Sequence, residues 1–334
     1  MKKILLSVVL LSLMPMLAFA QDNNKAIQMT NVNSFTRTAQ RISVSESVLG
    51  LNRDYSDWGV IDFSFTMGMW ANVSSYSDYF GGAVILGHQP ETHINYNGSF
   101  FLACNKNGEL VLNGKEKSGN DYANFNVTGS KSIVIDDWAY YALVYDADTK
   151  TIKAYLDGVE IASKTYSVGV GVPLFPDNPC LFAFGSIGFN GAVDEVHIYK
   201  AALTGDQLKL ASNTPAAVEN LVGFYKFDEV SVGTTSQFDN FGSSDEKALY
   251  RVGTGSADGS GVISCGSNHA EKAPTFVEGR KIKSGIDNIT VGGVVVCEEA
   301  YYNLNGVKIS SENLVPGIYI HRTVEGKVEK VYVK

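Results

Sequence analysis

Between Ile61 and Tyr199 apolar residues keep returning at every second position, in short runs broken by turn-forming residues. Ile61, Phe63, Phe65, Met67 and Met69 alternate with Asp62, Ser64, Thr66 and Gly68. Successive strand side chains point to opposite faces, so this spacing lays one apolar face on a core and leaves the other polar. Ile152, Ala154 and Leu156 repeat the pattern and run into Asp157-Gly158. That pair suits a two-residue hairpin, whose central residues need positive φ, and Val159 to Tyr166 is the return strand. Trp138 to Tyr145 is a dense aromatic and aliphatic strand, and further strands are expected at 82–87, 99–104, 108–113, 131–135, 180–185 and 191–199. Many short strands with turns between them specify an antiparallel sandwich or barrel. The 33 glycines and 34 Tyr and Phe together (17 + 17) agree with strands and tight turns rather than a helical bundle.

One helix is expected, over about 205–211. Thr204-Gly205-Asp206-Gln207 has the form of a capping box, Leu203 can staple onto Leu208, and Pro215 lies beyond the end. So short a helix must dock on the sandwich to persist. Leu221 to Phe227 reads as another strand, and 228–279, rich in Gly, Ser and Asp, as loops with one or two short strands. A separate small β module begins near Lys281, with strands within 286–296, 301–304, 316–321 and 327–333 and a final turn at Glu325-Gly326.

Residues 1–20 read as a signal peptide, with Lys2-Lys3, an apolar run to Phe19 and a small-x-small site at Ala18-Phe19-Ala20. The run is too short for a membrane span, and no later segment reaches that length. The expected product is therefore exported. Losing two lysines changes the charge from -8 to 25 - 35 = -10. An acidic chain lacks the basic stripe that phosphate backbones demand, which excludes nucleic acid, and it is repelled by anionic lipid. Four cysteines in an exported chain permit two disulfides. Cys104 and Cys180 each share a strand face with core-type Phe residues, so a Cys104–Cys180 bridge is expected, with buried free thiols as the alternative.

The stretch 60–212 resembles the LamG-like (laminin G, concanavalin A-like) jelly rolls. The resemblance lies in Phe65-Thr66-Met67-Gly68-Met69-Trp70, in Trp138–Tyr145, in Tyr155-Leu156-Asp157-Gly158, and in Phe189-Asn190-Gly191-Ala192-Val193-Asp194-Glu195-Val196-His197-Ile198-Tyr199 followed by Ala202-Leu203-Thr204. It implies an all-β, concanavalin A-like antiparallel jelly-roll sandwich over 21–280, with 281–334 as a small C-terminal β-sandwich. Leu221–Glu229 is similar to the strand that often opens such a domain, here either closing the sandwich or left from a second repeat. Tyr302–Lys308, Leu314–Ile320 and Lys330–Lys334 resemble the C-terminal sorting domains of type IX secretion, without the Pro-Asn-Pro segment that usually opens them. The tail therefore implies delivery to the cell surface or medium, and the leader alone would imply the periplasm.

The fold hosts lectins, adhesins, enzymes and spacers, so function must come from sites. No Glu-x-Asp-x-x-Glu segment is present, and neither is a Gly-x-Ser-x-Gly or His-Glu-x-x-His motif. Asp194 and Glu195 are expected on opposite faces of a strand, unable to act on one bond. No catalytic residue is assigned. His88 and His93, read as loop residues, would need a third ligand to hold zinc, and Glu91 is the only near one. In some relatives an Asp placed like Asp194 holds structural calcium; the alternative is a carboxylate bonded to loop amides. Trp70 and Trp138 are expected in the core. Ligand-binding candidates are loop residues with paired hydrogen-bonding groups or an aromatic face: Tyr76, Asp78 and Tyr79; Asn95, Tyr96 and Asn97; Asn120, Asp121, Tyr122 and Asn124. The expected function is a non-catalytic recognition module for glycan or a surface protein. The alternatives are a glycoside hydrolase with an unrecognised site and a structural surface protein.

Overall fold

The structure, a computed structural model, describes residues 24–30, 38–50, 59–76, 82–90, 100–118, 121–167, 171–172, 180–186, 188–228, 237–257, 263–265, 270–271 and 274–280, then 289–291, 294–296, 299–302, 308–311, 314–322 and 328–333. The chain divides into two compact units between Arg280 and Lys281.

The first unit is a sandwich of two large sheets. The eight-stranded sheet has the order β11 (Val159–Thr165), β10 (Thr151–Leu156), β9 (Trp138–Asp146), β4 (Phe65–Val73), β14 (Asn190–Tyr199), β1 (Lys25–Thr30) and β20 (Thr275–Glu278), and β15 (Leu221–Tyr225) also pairs with β14. The ten-stranded sheet has the order β16 (Gln237–Phe238), β17 (Ala248–Ala257), β2 (Thr38–Ser45), β13 (Cys180–Phe184), β5 (Ala83–Pro90), β6 (Phe100–Cys104), β7 (Glu109–Ser118) and β8 (Asp121–Ser132). Two short strands, β18 (Ile263–Cys265) and β19 (Ala270–Glu271), pair with β17, and β3 (Gly59–Val60) pairs with β12 (Gly171–Val172). All ladders of this unit are antiparallel, as a jelly roll requires.

The core between the sheets is built from the alternating positions. Phe65, Met67 and Met69 meet Tyr141, Leu143 and Tyr145 from one side and Phe100, Leu102, Phe182 and Phe184 from the other. Asp157 and Gly158 both have positive φ, as the β10–β11 hairpin needs. The helix, α1 (Gly205–Ala211), carries the full capping box: Thr204 accepts from the Gln207 amide and Gln207 reaches back to the Thr204 amide. Its Leu208 and Ala211 cover Tyr140, Ala142, Val144, Tyr155 and Tyr199 on the outer face of the eight-stranded sheet. That second cluster explains why β9 is apolar nearly throughout: it is buried on both faces. Trp70 sits half-buried against the same cluster, and Trp138 is also half-buried, so neither lies in the central core.

Several expectations are corrected. Residues 121–124 belong to β8, which runs to Ser132, rather than to a loop. His88 lies in β5, fully buried among Phe65, Phe100 and Phe182, with its Nε2 2.6 Å from Glu46 Oε1. The stretch 228–279 supplies β16 to β20, more than the one or two strands expected. The Cys104–Cys180 bridge is not formed, and Cys104 is a buried free thiol. Cys104 stands opposite Ala83 and Cys180 opposite Pro90, so the length of β5 separates them. Seven residues of strand span about 23 Å, against the ~7 Å Cα limit for a disulfide.

In the second unit β21 (Ile289–Val291) pairs with β22 (Val294–Val296). A four-stranded sheet has the order β24 (Lys308–Ile309), β23 (Ala300–Tyr302), β25 (Gly317–Arg322) and β26 (Val328–Val333). The buried Tyr319 ties its hydroxyl to the Val315 backbone at both N and O. The expected turn at Glu325-Gly326 lies outside the described residues.

Candidate functional site

Two places carry candidate residues, one on the outer face of each large sheet. On the ten-stranded sheet, alternation puts Phe100, Leu102, Leu110 and Leu112 in the core, so Phe101, Val111 and Asn113 face outward. The ladders continue this outward row: Gly87 pairs with Phe101, Phe101 with Asn113, and Asn113 with Asn126. Phe125 and Val127 pack on the core, so Asn124, Asn126 and Thr128 of β8 also face outward, and all three are exposed. Gly87 leaves room for Phe101 to come this close, since a Cβ at 87 would overlap the Phe101 Cβ. Phe101 is half-buried and Asn113 is buried, its amide donating to the Val111 carbonyl at 3.1 Å, so the open part of the row is Phe101 with Asn124, Asn126 and Thr128. One aromatic face beside several amide and hydroxyl groups can take a sugar's apolar face and its paired hydroxyls.

Of the sequence candidates, Asn124 alone is placed with its side chain on this surface. Asp121 and Tyr122 lie on β8 paired with Ser118 and Lys117. Tyr76 is 39% exposed and its ring lies on Gly108 in the β6–β7 turn, beside the exposed Asn107. Asp78, Tyr79, Asn95, Tyr96, Asn97 and Asn120 lie outside the described residues. Asn126, Thr128 and Phe101 were missed. The signal for them was the alternation of Asn124, Asn126 and Thr128 with Phe125 and Val127.

The second place surrounds Asp194. In β14 the pairing with β4 shifts between Asp194 and His197, and Glu195 takes φ 45°. This is a bulge. Val193 and Val196 both enter the core, so the two residues between them face outward together. The expected opposite-face placement of Asp194 and Glu195 is therefore corrected. Both carboxylates reach Arg280: Asp194 Oδ2 accepts its amide at 3.0 Å and Glu195 Oε2 pairs with its guanidinium at 2.8 Å. The guanidinium also lies 4.0 Å from the centre of the Trp70 ring, and the Arg280 carbonyl accepts from the Asn24 amide.

Asp194 is 1% exposed, and its Oδ1 accepts the Glu195 amide at 2.8 Å. Burial pushes its carboxyl up to about 8, Glu195 and Asp228 add to the rise, and the Arg280 and Glu195 amides oppose it. His197, fully buried beneath Phe224, is pushed down to about 3 by burial and by Arg280, so it is neutral across the physiological range. Both Asp194 oxygens thus accept backbone amides. Asn24 Oδ1 and Asp194 Oδ2 nevertheless both crowd the side-chain position of Gly279, an oxygen pair of the type calcium takes. Among the described residues no group of three His, Cys, Asp or Glu side chains is placed to hold a metal, so most of calcium's six to eight oxygens would have to be carbonyls and water.

Residues 52–209 match the family model of the concanavalin A-like lectin/glucanases superfamily. No curated protein matches the chain. Among solved structures, a Bacteroides ovatus protein proposed to bind carbohydrate is similar at 21% identity and TM-score 0.43, over 69% of this chain and 60% of that one. The chain therefore spans less than two thirds of that protein. A SAP-like pentraxin from Limulus polyphemus is similar at 14% identity and TM-score 0.37, over 57% of this chain and 83% of that one. The Ruminococcus gnavus sialidase CBM40, solved with α2,3-sialyllactose, is similar at 12% identity and TM-score 0.38, over 57% of this chain and 98% of that one.

Proposed function

We propose that this concanavalin A-like sandwich is an exported, non-catalytic recognition module that binds glycan. The observation that carries the proposal is the outward row on β6, β7 and β8, where Phe101 lies in register with Asn113 and Asn126 and next to the exposed Asn124. A row in register across strands holds its groups at fixed spacing without loop ordering, which limits the entropy lost on binding.

The enzyme alternative gains one feature from the bulge, two neighbouring carboxylates on one face with one of them protonated near neutrality. Burial argues against it. A general acid must reach the leaving oxygen, and Asp194 is closed to solvent with both oxygens facing amides. Calcium at Asp194 belongs to the proposal as a structural ion, held by the Asp194 and Asn24 side chains. Delivery to the surface by the C-terminal unit also belongs to the proposal, supported by the tail motifs and by that unit's separation at Lys281. Among the described residues no helix is long and apolar enough to cross a membrane.

A glycan array tests the reading. The parent should bind at least one glycan without releasing sugar, and Phe101→Ala and Asn126→Ala should each weaken that binding about tenfold while keeping the fold. Removing one well-placed stacking or charge-free polar contact has roughly this effect, ~1.4 kcal/mol. Binding unchanged in both variants would reject the row, and turnover would favour the hydrolase.

A further inference from the structure

Phe241 is 49% exposed. Its ring meets that of Phe224 edge-on, with centroids 6.3 Å apart. Into the angle between them comes Lys226, its Nζ 5.2 Å from the Phe224 centroid and 4.8 Å from the Phe241 centroid. Phe224 at the end of β15 and Lys226 just beyond it share one face, because Tyr225 between them enters the core. The pair of rings is fixed from both sides. The Phe224 ring lies tilted against the buried His197 with centroids 4.9 Å apart, and the Phe241 amide donates to the Phe224 carbonyl at 2.8 Å.

The charge on Lys226 is met by two ring faces rather than by a carboxylate. Lys153, Lys164, Lys209, Lys247 and Arg280 each pair with a carboxylate. Among the described residues Lys226 has no acidic partner, in a chain whose net charge is -8. Ring faces hold an ammonium in place by attraction to the ring quadrupole but do not neutralise it. An oriented, unneutralised cation beside a half-exposed ring fits a ligand that brings a carboxylate and an apolar face together.

We propose that Lys226 and Phe241 form a second binding site, for a sugar carrying a carboxylate. The carboxylate takes a charge-assisted hydrogen bond from the Lys226 ammonium, and the ring carbons of the sugar lie on Phe241. The site is on the eight-stranded sheet, apart from the Phe101–Asn126 row, and depends on the glycan-binding reading only in taking a sugar as the carrier of the acid.

The full exported chain is titrated with hexagalacturonate, a hyaluronan hexasaccharide and a sialylated trisaccharide, each beside its carboxyl-reduced form. At least one acidic form should bind tenfold or more tightly than its reduced form, and the preference should shrink as salt is raised. Lys226→Gln and Phe241→Ala should each remove that preference. Phe101→Ala should leave it intact. No carboxylate preference for any probe would overturn the proposal, and so would a preference that survives Lys226→Gln. If acidic sugars bind and neutral ones do not, the row on the other sheet fails while this site stands. Circular dichroism of Lys226→Gln, which shortens the side chain and removes its charge, guards against mistaking misfolding for lost binding.

Discussion

Asp194→Asn tests the electrostatics of the bulge by removing a titration without removing the side chain's shape. An ordinary aspartate releases its proton near 3.8, whereas burial holds the Asp194 carboxyl protonated up to about 8. Below the lower value both the folded and unfolded chains carry the proton. Between the two, only the folded chain carries it, so folding takes up a proton and stability falls as pH rises. The slope is about 1.4 kcal/mol per pH unit, or up to about 4 kcal/mol between pH 5 and 8. The variant keeps one acceptor but turns an NH2 towards either the Glu195 or the Arg280 amide, a fixed cost of about 1–3 kcal/mol. Parent and variant should therefore converge, or cross, as pH rises. Guanidinium unfolding at pH 5, 6, 7 and 8 measures the difference. Parallel curves would refute the reasoning, because they would mean that Asp194 ionises as readily in the folded chain as outside it. Calcium enters the same experiment. A bound divalent ion favours the ionised carboxylate, so added calcium should flatten the parent's slope and leave the variant unmoved. If a chelator and calcium both change nothing, the amides alone satisfy Asp194.

Gly158→Ala should cost about 1–3 kcal/mol in urea unfolding, because the position has φ 72° and its Cβ would meet the Gly205 carbonyl at 2.7 Å. Thr204→Ala removes the side-chain acceptor of the helix cap and should lower stability by about 1 kcal/mol, with Thr204→Ser recovering most of the loss. Burial pushes the Cys104 thiol up to about 12, so it should stay unreactive to a thiol reagent in the folded chain and react only on unfolding. Mass spectrometry after non-reducing digestion should find no Cys104–Cys180 peptide pair.

Local periodicity and local chemistry determined the strands of the central core, the Asp157-Gly158 hairpin and the capped helix. In each of these the residues that decide the conformation lie within a few positions of one another. β8 was read as loop because an edge strand buries little, and Asp121, Asn124, Asn126 and Thr128 mask the weak alternation of Phe125 and Val127. The Glu195 bulge left a trace, the three-residue step from Val193 to Val196 in a strand that otherwise steps by two. What that bulge does could not be read from it. Arg280, Asn24 and Trp70 gather around Asp194 and Glu195 from distant parts of the chain. Tertiary structure alone decided that an acidic pair meets one arginine, that one carboxyl is held protonated by burial, and that Lys226 comes to rest between two phenylalanine rings. The pKa of a group and the partner of a charge depend on what is excluded around them, and exclusion is a property of the packed sheets rather than of any one segment.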